Sequence, residues 1–380
     1  MKTVFVVVGT RPEAIKMAPV IHALRAVNDV SVRVVNTGQH KELLEGVLEI
    51  FGLKADTSLE VMRAGQSLAS LTSRAILAIE SEIARERPDL VMVHGDTSTA
   101  MAAGLAAFYQ GVPVAHVESG LRTRNLKAPF PEELNRQILA RISDLNFAPT
   151  ERAVANLLAE AVNQKIVMTG NTVVDSASWV FNNFLTSEQW RQSKMSEMHD
   201  LRTLFELGKQ FVLITLHRRE NHGSAFGEIL RSIRDLAQRN TQVGFVFPVH
   251  PNPNIRNVAG ELLDGLENVI LCEPKDYLEF SFLLQGCLFA ISDSGGVQEE
   301  GVTFNTPVLV AREDTERPEG LASGLLHLVG SRSEDILRLG QHFIDNASNS
   351  PKSLNLESNP FGDGHASERI ASAVREFFGH

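Results

Sequence analysis

Short apolar runs alternate along the chain with longer segments whose apolar residues recur at helical spacing. In the first part of the chain the short runs predict strands at Val4–Val8, Val32–Asn36, Leu90–His94, Val114–Val117, Leu145–Ala148 and Ile166–Met168. The segments between them predict helices, among them Ala14–Val27, Ser67–Arg87 and Thr99–Gln110. Strands that are apolar throughout and separated by helices indicate a parallel sheet with both faces covered.

The same alternation starts again after residue 170. A polar stretch at Thr186–Lys209 interrupts it, and no element is predicted there. Beyond it, new apolar runs predict strands at Phe211–Leu216, Gly244–Pro248, Val269–Leu271, Phe289–Ser292 and Pro307–Val310. Near the end of the chain, Ala366–Phe378 has helical periodicity.

These patterns predict an α/β fold of two Rossmann-like domains with parallel sheets, which a chain of 380 residues can accommodate. We place the N-terminal domain at 1–170 and the C-terminal domain at 171–365. The C-terminal helix, within 366–380, is expected to pack back on the N-terminal domain. The two domains are expected to face a cleft, because ligands of open α/β sheets bind beyond the carboxyl ends of the strands.

Composition narrows the function classes. The formal net charge of −10 argues against broad nucleic-acid binding, since no general positive field attracts phosphates. No apolar run approaches the roughly 20 residues that cross a bilayer, so no membrane association is expected. Cys272 and Cys287 have no metal-ligand spacing and are expected to be buried thiols in a reduced cytoplasm.

Carboxylates follow several predicted strands of the first domain. Asp96 follows the Leu90–His94 strand and either caps the next helix or points into the cleft. Glu118 ends the next strand, so we expect it beside Asp96 at the top of the sheet. Glu132 belongs to the polar segment that follows. Acid–base chemistry on a sugar needs two such groups on different sides of the reacting centre, which makes this set a candidate catalytic site.

A strand–loop–helix junction lies at the start of the chain, at Gly9–Lys16. Its backbone N–H groups are expected to be available for an anion, with Arg11 and Lys16 adding positive charge. The second and third glycines of a dinucleotide fingerprint are missing, so no nicotinamide site is predicted. A plain tight turn with surface charges is the alternative interpretation.

Polar segments also follow the strands of the second domain. His217 and Arg218 begin a cationic cluster that suits a phosphate, although a solvated loop would have the same composition. His250 ends the next strand and is either structural or catalytic.

The most specific local signal is the junction from Ser292 to Glu300, which runs from a strand into a helix. Ser294, Gly295 and Gly296 are placed to offer a hydroxyl and N–H groups to a diphosphate at the helix N-terminus. One turn later, Glu300 is placed to accept both hydroxyls of a ribose. Arg317 follows the last main strand. This arrangement resembles the UDP site of two-domain glycosyltransferases of the GT-B type.

The chain as a whole resembles the non-hydrolysing UDP-N-acetylglucosamine 2-epimerases. The resemblance covers nearly all of it, in order, through GTRPEAIKMAPV (Gly9–Val20), HGDTSTAMAAGLAAFYQGVPVAHVESGLRT (His94–Thr123), PFPEELNR (Pro129–Arg136), GNTVVD (Gly170–Asp175), HRRENHG (His217–Gly223), PVHPNPN (Pro248–Asn254), SDSGGVQEEG (Ser292–Gly301), DTERPEG (Asp314–Gly320) and FGDGHASERI (Phe361–Ile370).

That resemblance implies a GT-B-like fold, a homodimer and the interconversion of UDP-N-acetylglucosamine and UDP-N-acetylmannosamine through 2-acetamidoglucal. It implies no metal and no cofactor. The acid–base carboxylates match Asp96, Glu118 and Glu132, and an essential histidine matches His217. Positions that contact UDP match Arg11, Lys16, Ser294, Gly295, Gly296, Glu300 and Arg317, and the position beside the uracil matches Phe280.

Some bacterial members of that family bind a second UDP-N-acetylglucosamine as an activator. The residues that match this allosteric region are Gln39, Glu132, Arg218 and His250. Regulated members often carry a glutamine at the position of Glu42, and some carry an arginine at the position of Gly65. These two departures predict that activation is weakened or absent in this chain.

Four alternatives remain open at this point. A hydrolysing relative would release N-acetylmannosamine and UDP from the same fold. The substrate could be another UDP-2-acetamido sugar, or the chain could transfer a sugar to a separate acceptor. A catalytically silent nucleotide-sugar sensor is disfavoured, because it would have no use for Asp96, Glu118, Glu132 and His217 together.

Overall fold

The computed structural model describes residues 1–38, 41–63, 65–216, 224–347 and 352–379, and of residues 41–43 and 224 it describes the backbone only. The chain forms two compact units. Unit 1 contains Met1–Ser176 and Phe361–His380, and unit 2 contains Ala177–Pro360. The division falls at Ser176, later than residue 170, because the intervening segment bonds within unit 1. Ser176 Oγ donates a hydrogen bond to the Ile15 carbonyl at 2.6 Å.

Unit 1 contains a seven-stranded parallel sheet in the order β3-β2-β1-β4-β5-β6-β7. Its strands are β1 Lys2–Val8, β2 Val30–Asn36, β3 Thr57–Ser58, β4 Leu90–His94, β5 Val114–Val117, β6 Leu145–Ala148 and β7 Lys165–Met168. Its helices are α1 Arg11–Arg25, α2 Lys41–Ile50, α3 Leu68–Glu86, α4 Ser98–Tyr109, α5 Glu132–Ile142, α6 Glu151–Ala159 and the start of α7, Thr172–Val180.

Unit 2 contains a six-stranded parallel sheet in the order β10-β9-β8-β11-β12-β13. Its strands are β8 Phe211–Thr215, β9 Gly244–Pro248, β10 Val269–Cys272, β11 Ala290–Ser292, β12 Val308–Val310 and β13 Leu326–Leu328. Its helices are α8 Glu188–Glu197, α9 Arg202–Glu206, α10 Ser224–Arg239, α11 Pro253–Leu263, α12 Tyr277–Gly286, α13 Gly295–Thr303 and α14 Ser333–Asp345. Short π-helical and 3₁₀ segments lie at Phe181–Leu185, His199–Leu201 and Pro318–Ser323.

The predicted α/β fold with two parallel sheets is confirmed, and each predicted strand is present with small shifts at its ends. Two edge strands, β3 and β13, were not predicted because two or three residues carry too little periodicity. Helix α8 lies within the polar stretch that carried no prediction. It has no buried residue, so it has no apolar stripe to reveal it.

The last helix, α15 (Ala366–Phe377), belongs to unit 1 and packs against α1, as predicted. The carboxylate of Asp175 receives hydrogen bonds from the backbone N–H of Ser367 at 2.8 Å and of Ala366 at 3.3 Å. These are N–H groups of the first helical turn, which have no partner within the helix. Asp175 therefore ties the returning segment to the start of α7.

The central strands of each sheet, which helices cover on both faces, form the cores of the two units. In unit 1, β1 and β4 are buried almost throughout, and in unit 2 the same holds for β8 and β9. Within the described ranges, no helix combines the length and apolarity that a membrane crossing requires.

Candidate active site

Three neighbouring strands bring the candidate groups of unit 1 to one edge of the sheet. Strands β1, β4 and β5 are adjacent and parallel, so the segments after their carboxyl ends lie side by side. The first segment leads to Lys16 in α1, the second carries Asp96 and the third carries Glu118. The sequence predicted Asp96 and Glu118 side by side, because their strands are consecutive, and did not predict that Lys16 would join them.

Asp96 does not cap the helix that follows it. The cap of α4 is Thr97, whose hydroxyl receives the backbone N–H of Ala100. The Asp96 side chain instead accepts from Arg136, with Oδ2 at 2.8 Å from Nε and 2.7 Å from Nη2. Asn135 Nδ2 donates to the Asp96 carbonyl at 2.8 Å. Asp96 is therefore held by α5 and is not used up in building α4.

Glu118 lies at the centre of a compact polar cluster. Its Oε2 forms an ion pair with Lys16, accepts a hydrogen bond from Asn171 Nδ2 at 3.1 Å and lies 3.8 Å from His94 Nε2. Its backbone φ is +65°, in the left-handed region that non-glycine residues adopt at a cost of roughly 1–2 kcal/mol. Strain of this kind is concentrated at functional sites, where it re-aims a side chain.

His116 supports the same edge from inside the core. Burial, with help from the nearby charges of His94 and Arg122, lowers the pKa of His116 to about 3. The ring is therefore neutral near pH 7, and its Nε2–H donates to the Gly95 carbonyl at 2.7 Å. This contact ties β5 to the residue that precedes Asp96.

In the loop Gly9–Lys16, two of the backbone N–H groups that the sequence suggested for an anion are already bonded within the protein. The backbone N–H groups of Gly9 and Thr10 already donate to Glu13 Oε2 at 2.8 and 2.7 Å. Thr97 Oγ1 donates to the other oxygen, Oε1, at 2.7 Å. Glu13 and Thr10 form a capping box, whose T-x-x-E signature was present in the sequence and was missed.

Burial of Glu13 raises the pKa of its carboxyl, against the lowering effect of the hydrogen bonds it accepts. Of the two cations predicted for this loop, Lys16 is buried and paired with Glu118, and Arg11 is exposed at the start of α1. The N–H groups of Gly9 and Thr10 are therefore not available to an anion in this arrangement, and binding by Arg11 and Lys16 stays a prediction.

Helix α5 begins with two carboxylates. Glu132 is partly buried, and its Oε2 is enclosed. Glu133, which the sequence had not singled out, is fully buried and accepts from the backbone N–H groups of Thr123 and Arg124 at 2.9 and 3.1 Å. Burial alone would raise the pKa of Glu133. Those donors, Gln137 and the nearby guanidinium of α5 outweigh it and lower the pKa.

In unit 2, Ser294 precedes the first residue of α13 and makes no side-chain cap. Its hydroxyl and the first N–H groups of the helix are therefore not joined by the usual capping bond. A Cβ on Gly295 would stand 2.6 Å from Nη1 of Arg317, so only glycine lets the guanidinium lie against this turn. Gly296 has room around it, with no atom nearer than 3.9 Å to an added Cβ.

Arg317 is fixed over this turn by carboxylates. Its Nε donates to Glu299 Oε1 at 2.5 Å, and its Nη1 lies 3.5 Å from Glu316 Oε2. Gln298 accepts from the Thr315 hydroxyl at 2.6 Å, and the backbone N–H of Arg317 donates to that hydroxyl at 3.1 Å. The guanidinium thus lies at the N-terminus of α13. Its positive charge adds to that of the helix N-terminus, where an anion is favoured.

The other predicted residues of unit 2 are placed as follows. Glu300 is buried in α13, one turn after Gly296, and Phe280 is half-buried in α12. His250 is exposed, and its Nδ1 accepts from the backbone N–H of Asn252 at 3.2 Å, a contact that shapes the turn before α11.

Part of the predicted set lies outside the described residues. This applies to His217, Arg218 and Gln39, and to the side chain of Glu42. In the part of the chain that is described, no group of His, Cys, Asp and Glu side chains is arranged to hold a metal ion.

Two parallel-sheet α/β units, with carboxylates at one sheet edge and a glycine-containing strand–helix junction at another, define a protein of the GT-B-like class. A solved structure of the glycotransferase of kitacinnamycin shares this fold, with a TM-score of 0.60 over 99% of this chain and 98% of its own, at 13% identity. At that identity the likeness concerns the fold alone.

Closer relatives define the family. A family model described as UDP-N-acetylglucosamine 2-epimerase matches residues 22–375, and the chain therefore belongs to this family. It is 41% identical over 375 residues to the UDP-N-acetylglucosamine 2-epimerase of Salmonella typhimurium, covering 98% of each chain.

Two solved structures are similar over almost the full length. One is the UDP-GlcNAc 2-epimerase of Neisseria meningitidis bound to UDP-GlcNAc, at 42% identity and a TM-score of 0.90, covering 99% of this chain and 100% of the other. Another is the Methanocaldococcus jannaschii UDP-GlcNAc 2-epimerase in complex with UDP-GlcNAc and UDP. It is 30% identical, with a TM-score of 0.81 and coverage of 99% and 100%.

Proposed function

We propose that this enzyme interconverts UDP-N-acetylglucosamine and UDP-N-acetylmannosamine without releasing free sugar. The observation that carries the proposal is the pair Asp96 and Glu118, which follow adjacent parallel strands and are held by different cations, Arg136 and Lys16. Inversion at one carbon needs groups that remove and return a proton on opposite faces of the sugar. Two carboxylates in separate environments meet that requirement.

The chemistry explains why the substrate carries UDP. The C2 proton has no adjacent carbonyl, so simple deprotonation there is unfavourable. In the proposed route a carboxylate accepts the C2 proton, and the C–H electron pair forms the C1=C2 double bond of 2-acetamidoglucal. The C1–O bond breaks and UDP departs with its electron pair. UDP then adds back at C1 while C2 receives a proton on its other face.

Within unit 1, we assign the proton transfers to Asp96, Glu118 and Glu132. The carboxylate that accepts the C2 proton is left open among them. The resemblance adds His217 near the diphosphate, at a position outside the described residues. Both Glu132 and Glu118 are withdrawn from open solvent, since Oε2 of Glu132 is enclosed and Glu118 is paired with the buried Lys16.

Within unit 2, we assign UDP to the N-terminus of α13. The diphosphate would be bound by Ser294, Gly295, Gly296 and Arg317, with Glu300 on the ribose and Phe280 beside the uracil. Relatives that contain UDP-GlcNAc or UDP in their solved structures support this choice of ligand. The contact between Gly295 and the Arg317 guanidinium supports it independently, because it brings a fixed cation to a helix N-terminus.

The test is incubation with UDP-N-acetylglucosamine in D₂O, followed by proton NMR. The expected product is UDP-N-acetylmannosamine with deuterium at C2 and no accumulating free sugar. Asp96→Asn should lower the exchange rate by about 100-fold or more. Its control, Asp29→Asn, changes an exposed turn residue and should leave the rate unchanged.

Other outcomes would change the assignment. Free N-acetylmannosamine with an equal amount of UDP would place the enzyme in the hydrolysing branch. Absence of C2 exchange would point to another UDP-2-acetamido sugar as substrate, to a required activator, or to the nucleotide-sugar sensor.

Two further proposals concern assembly and regulation. We propose a homodimer, for which light scattering in solution is the direct measurement. We also propose weak or absent activation by a second UDP-N-acetylglucosamine, because Glu42 and Gly65 replace groups that the regulated relatives often carry. With UDP-N-acetylmannosamine as the starting material, turnover should proceed at once, and a strong acceleration by trace UDP-N-acetylglucosamine would contradict this.

A further inference from the structure

Asp96 is held through one oxygen only. Both Nε and Nη2 of Arg136 contact its Oδ2, at 2.8 and 2.7 Å, and Asn135 fixes its main-chain carbonyl. Among the described residues, none donates a hydrogen bond to Oδ1, and the side chain is 26% exposed. One oxygen is therefore fixed by the protein, while the other is accessible to a reacting group.

Arg136 is itself held in place by Glu133. Its side chain is only 7% exposed, and its remaining nitrogen, Nη1, contacts Glu133 Oε2 at 3.2 Å. A guanidinium is planar and has donors in fixed directions, so a contact at one nitrogen determines where the other donors point. The position of Glu133 thus sets the direction of the donors that hold Asp96.

Glu133 does not depend on Arg136 for its own position. The backbone N–H groups of Thr123 and Arg124, and Gln137 Nε2 at 3.0 Å, hold both carboxylate oxygens. Two of these donors belong to the backbone of the segment after β5, which also carries Glu118. The chain of contacts therefore runs from that segment through Glu133 and Arg136 to Asp96.

We propose that Glu133 is a positioning residue for the reaction, acting through Arg136 to aim the accessible oxygen of Asp96. The inference rests on the proposed function, in which Asp96 takes part in proton transfer at C2. Glu133 does not contact the substrate. It neutralises part of the guanidinium charge and prevents rotation of the guanidinium, so that Asp96 Oδ1 keeps one direction. An aimed carboxylate matters because a displacement of about 1 Å can cost about 100-fold in rate.

The test compares two variants with a matched pair elsewhere in unit 1. Arg136→Ala should lower kcat about 100-fold, and Glu133→Gln about tenfold, the scale of one lost charged hydrogen bond. In both, KM for UDP-N-acetylglucosamine and the Kd of UDP should stay unchanged, because neither Glu133 nor Arg136 is among the positions proposed to contact UDP. The controls are Glu82→Gln and Arg85→Ala, an ion pair of the same spacing in α3, with turnover expected at the wild-type rate.

Chemical rescue separates positioning from a merely structural role. Added guanidinium at millimolar concentration should restore part of the kcat of Arg136→Ala, because it can occupy the vacated place between Glu133 and Asp96. It should not rescue Asp96→Asn. An equal concentration of sodium chloride is the control for ionic strength and should have no effect.

The results that would overturn the inference are distinct from those against the proposed function. Wild-type protein without C2 exchange would count against the proposed function. Active wild type with full activity in Glu133→Gln and Arg136→Ala would overturn the positioning role, as would equal changes in kcat and KM without guanidinium rescue. If either variant fails to fold, Arg136→Lys decides. Lysine keeps the positive charge but lacks the planar set of donors that contacts both Glu133 and Asp96. Wild-type kcat in this variant would therefore overturn the inference.

Discussion

At the scale of single residues, Glu316 shows how unit 2 stabilises a buried charge. Arg312 donates to both of its oxygens, at 2.7 and 3.1 Å, and Arg317 lies nearby. Burial alone would raise the pKa of Glu316, but the Arg312 hydrogen bonds and the two guanidinium charges outweigh it. They hold the pKa of Glu316 far below its ordinary value of 4.5.

The lowered pKa makes this stabilisation depend on pH. The contribution of Glu316 is fully present above pH 4.5 and is lost as pH falls from there toward the pKa of the folded state. Glu316→Gln should therefore cost about 3 kcal/mol near pH 7, because it leaves buried arginines unpaired. Thermal unfolding measured from pH 7 to pH 3 should show the difference from wild type shrinking below pH 4.5. A constant difference would contradict the assignment.

Some residues of the candidate site could be predicted from the sequence, and others could not. Asp96, Glu118 and Ser294 could be proposed from the sequence because each follows a strand, and the carboxyl ends of parallel strands share an edge. Glu133 was missed because its backbone donors come from a separate loop, whereas Glu13 was missed although its T-x-x-E capping signature is present in the sequence. Thr97 bonds to Glu13, and Thr123 bonds to Glu133, only once the sheet has formed. Sequence spacing carries no record of such contacts.

At the scale of elements, α13 packs against β12 at a glycine. A Cβ on Gly301 would stand 2.4 Å from Val308 Cγ2 and 3.3 Å from the Thr306 carbonyl. Helix and strand therefore approach each other closely because residue 301 has no side chain. Val308 is β-branched and has few alternative rotamers. The close approach therefore cannot be relieved by moving a flexible side chain.

Two helical glycines should respond in opposite ways to alanine. Gly301→Ala should destabilise the protein by about 1–3 kcal/mol, the typical cost of overpacking. Gly46→Ala should stabilise it by about 0.5–1 kcal/mol, since an added Cβ has no atom within 4 Å and glycine is a poor helix former. Urea unfolding of the two variants beside wild type measures both. Stabilisation by Gly301→Ala would show that the helix can move away from β12.

The elements themselves were predictable where their pattern was strong. Strands such as β4 and β8 are apolar throughout because helices cover both faces, and their bounds were predicted to within a residue. Helix α1 begins at Arg11 and not at Ala14, because the Thr10–Glu13 capping box starts it earlier than its apolar stripe does. Local side-chain chemistry determined that boundary, and the apolar period did not reveal it.

At the scale of the whole molecule, unit 1 is built from two separate parts of the chain. The carboxylate of Asp175 joins them, accepting from the backbone N–H of Ser367 and from its hydroxyl, at 2.8 and 2.6 Å. Helix α15 then buries Ile370 and Val374 and packs against α1. The tie between the two parts therefore consists of a polar cap and an apolar face.

Removing the cap should loosen α15 without unfolding the sheet. Asp175→Ala is expected to cost about 2 kcal/mol, the upper range for a lost helix cap, and Asp175→Asn less, because one acceptor remains. Hydrogen exchange should become faster at the amides of 366–377 and stay unchanged in β1. Asp345→Ala removes an exposed aspartate of α14 and is the control. Unaltered exchange in α15 would show that packing alone holds it.

The divided construction of unit 1 has a consequence for synthesis on the ribosome. Residues 177–360 form a continuous unit and can complete their sheet as soon as they have emerged. The sheet of unit 1 is synthesised first. Asp175 can bond to its partners in α15 only after Phe361 and that helix have been synthesised. During that interval the face of α1 that α15 covers is open to water. The nascent chain can thus finish its second unit before its first, because the residues that complete the first unit follow the whole of the second.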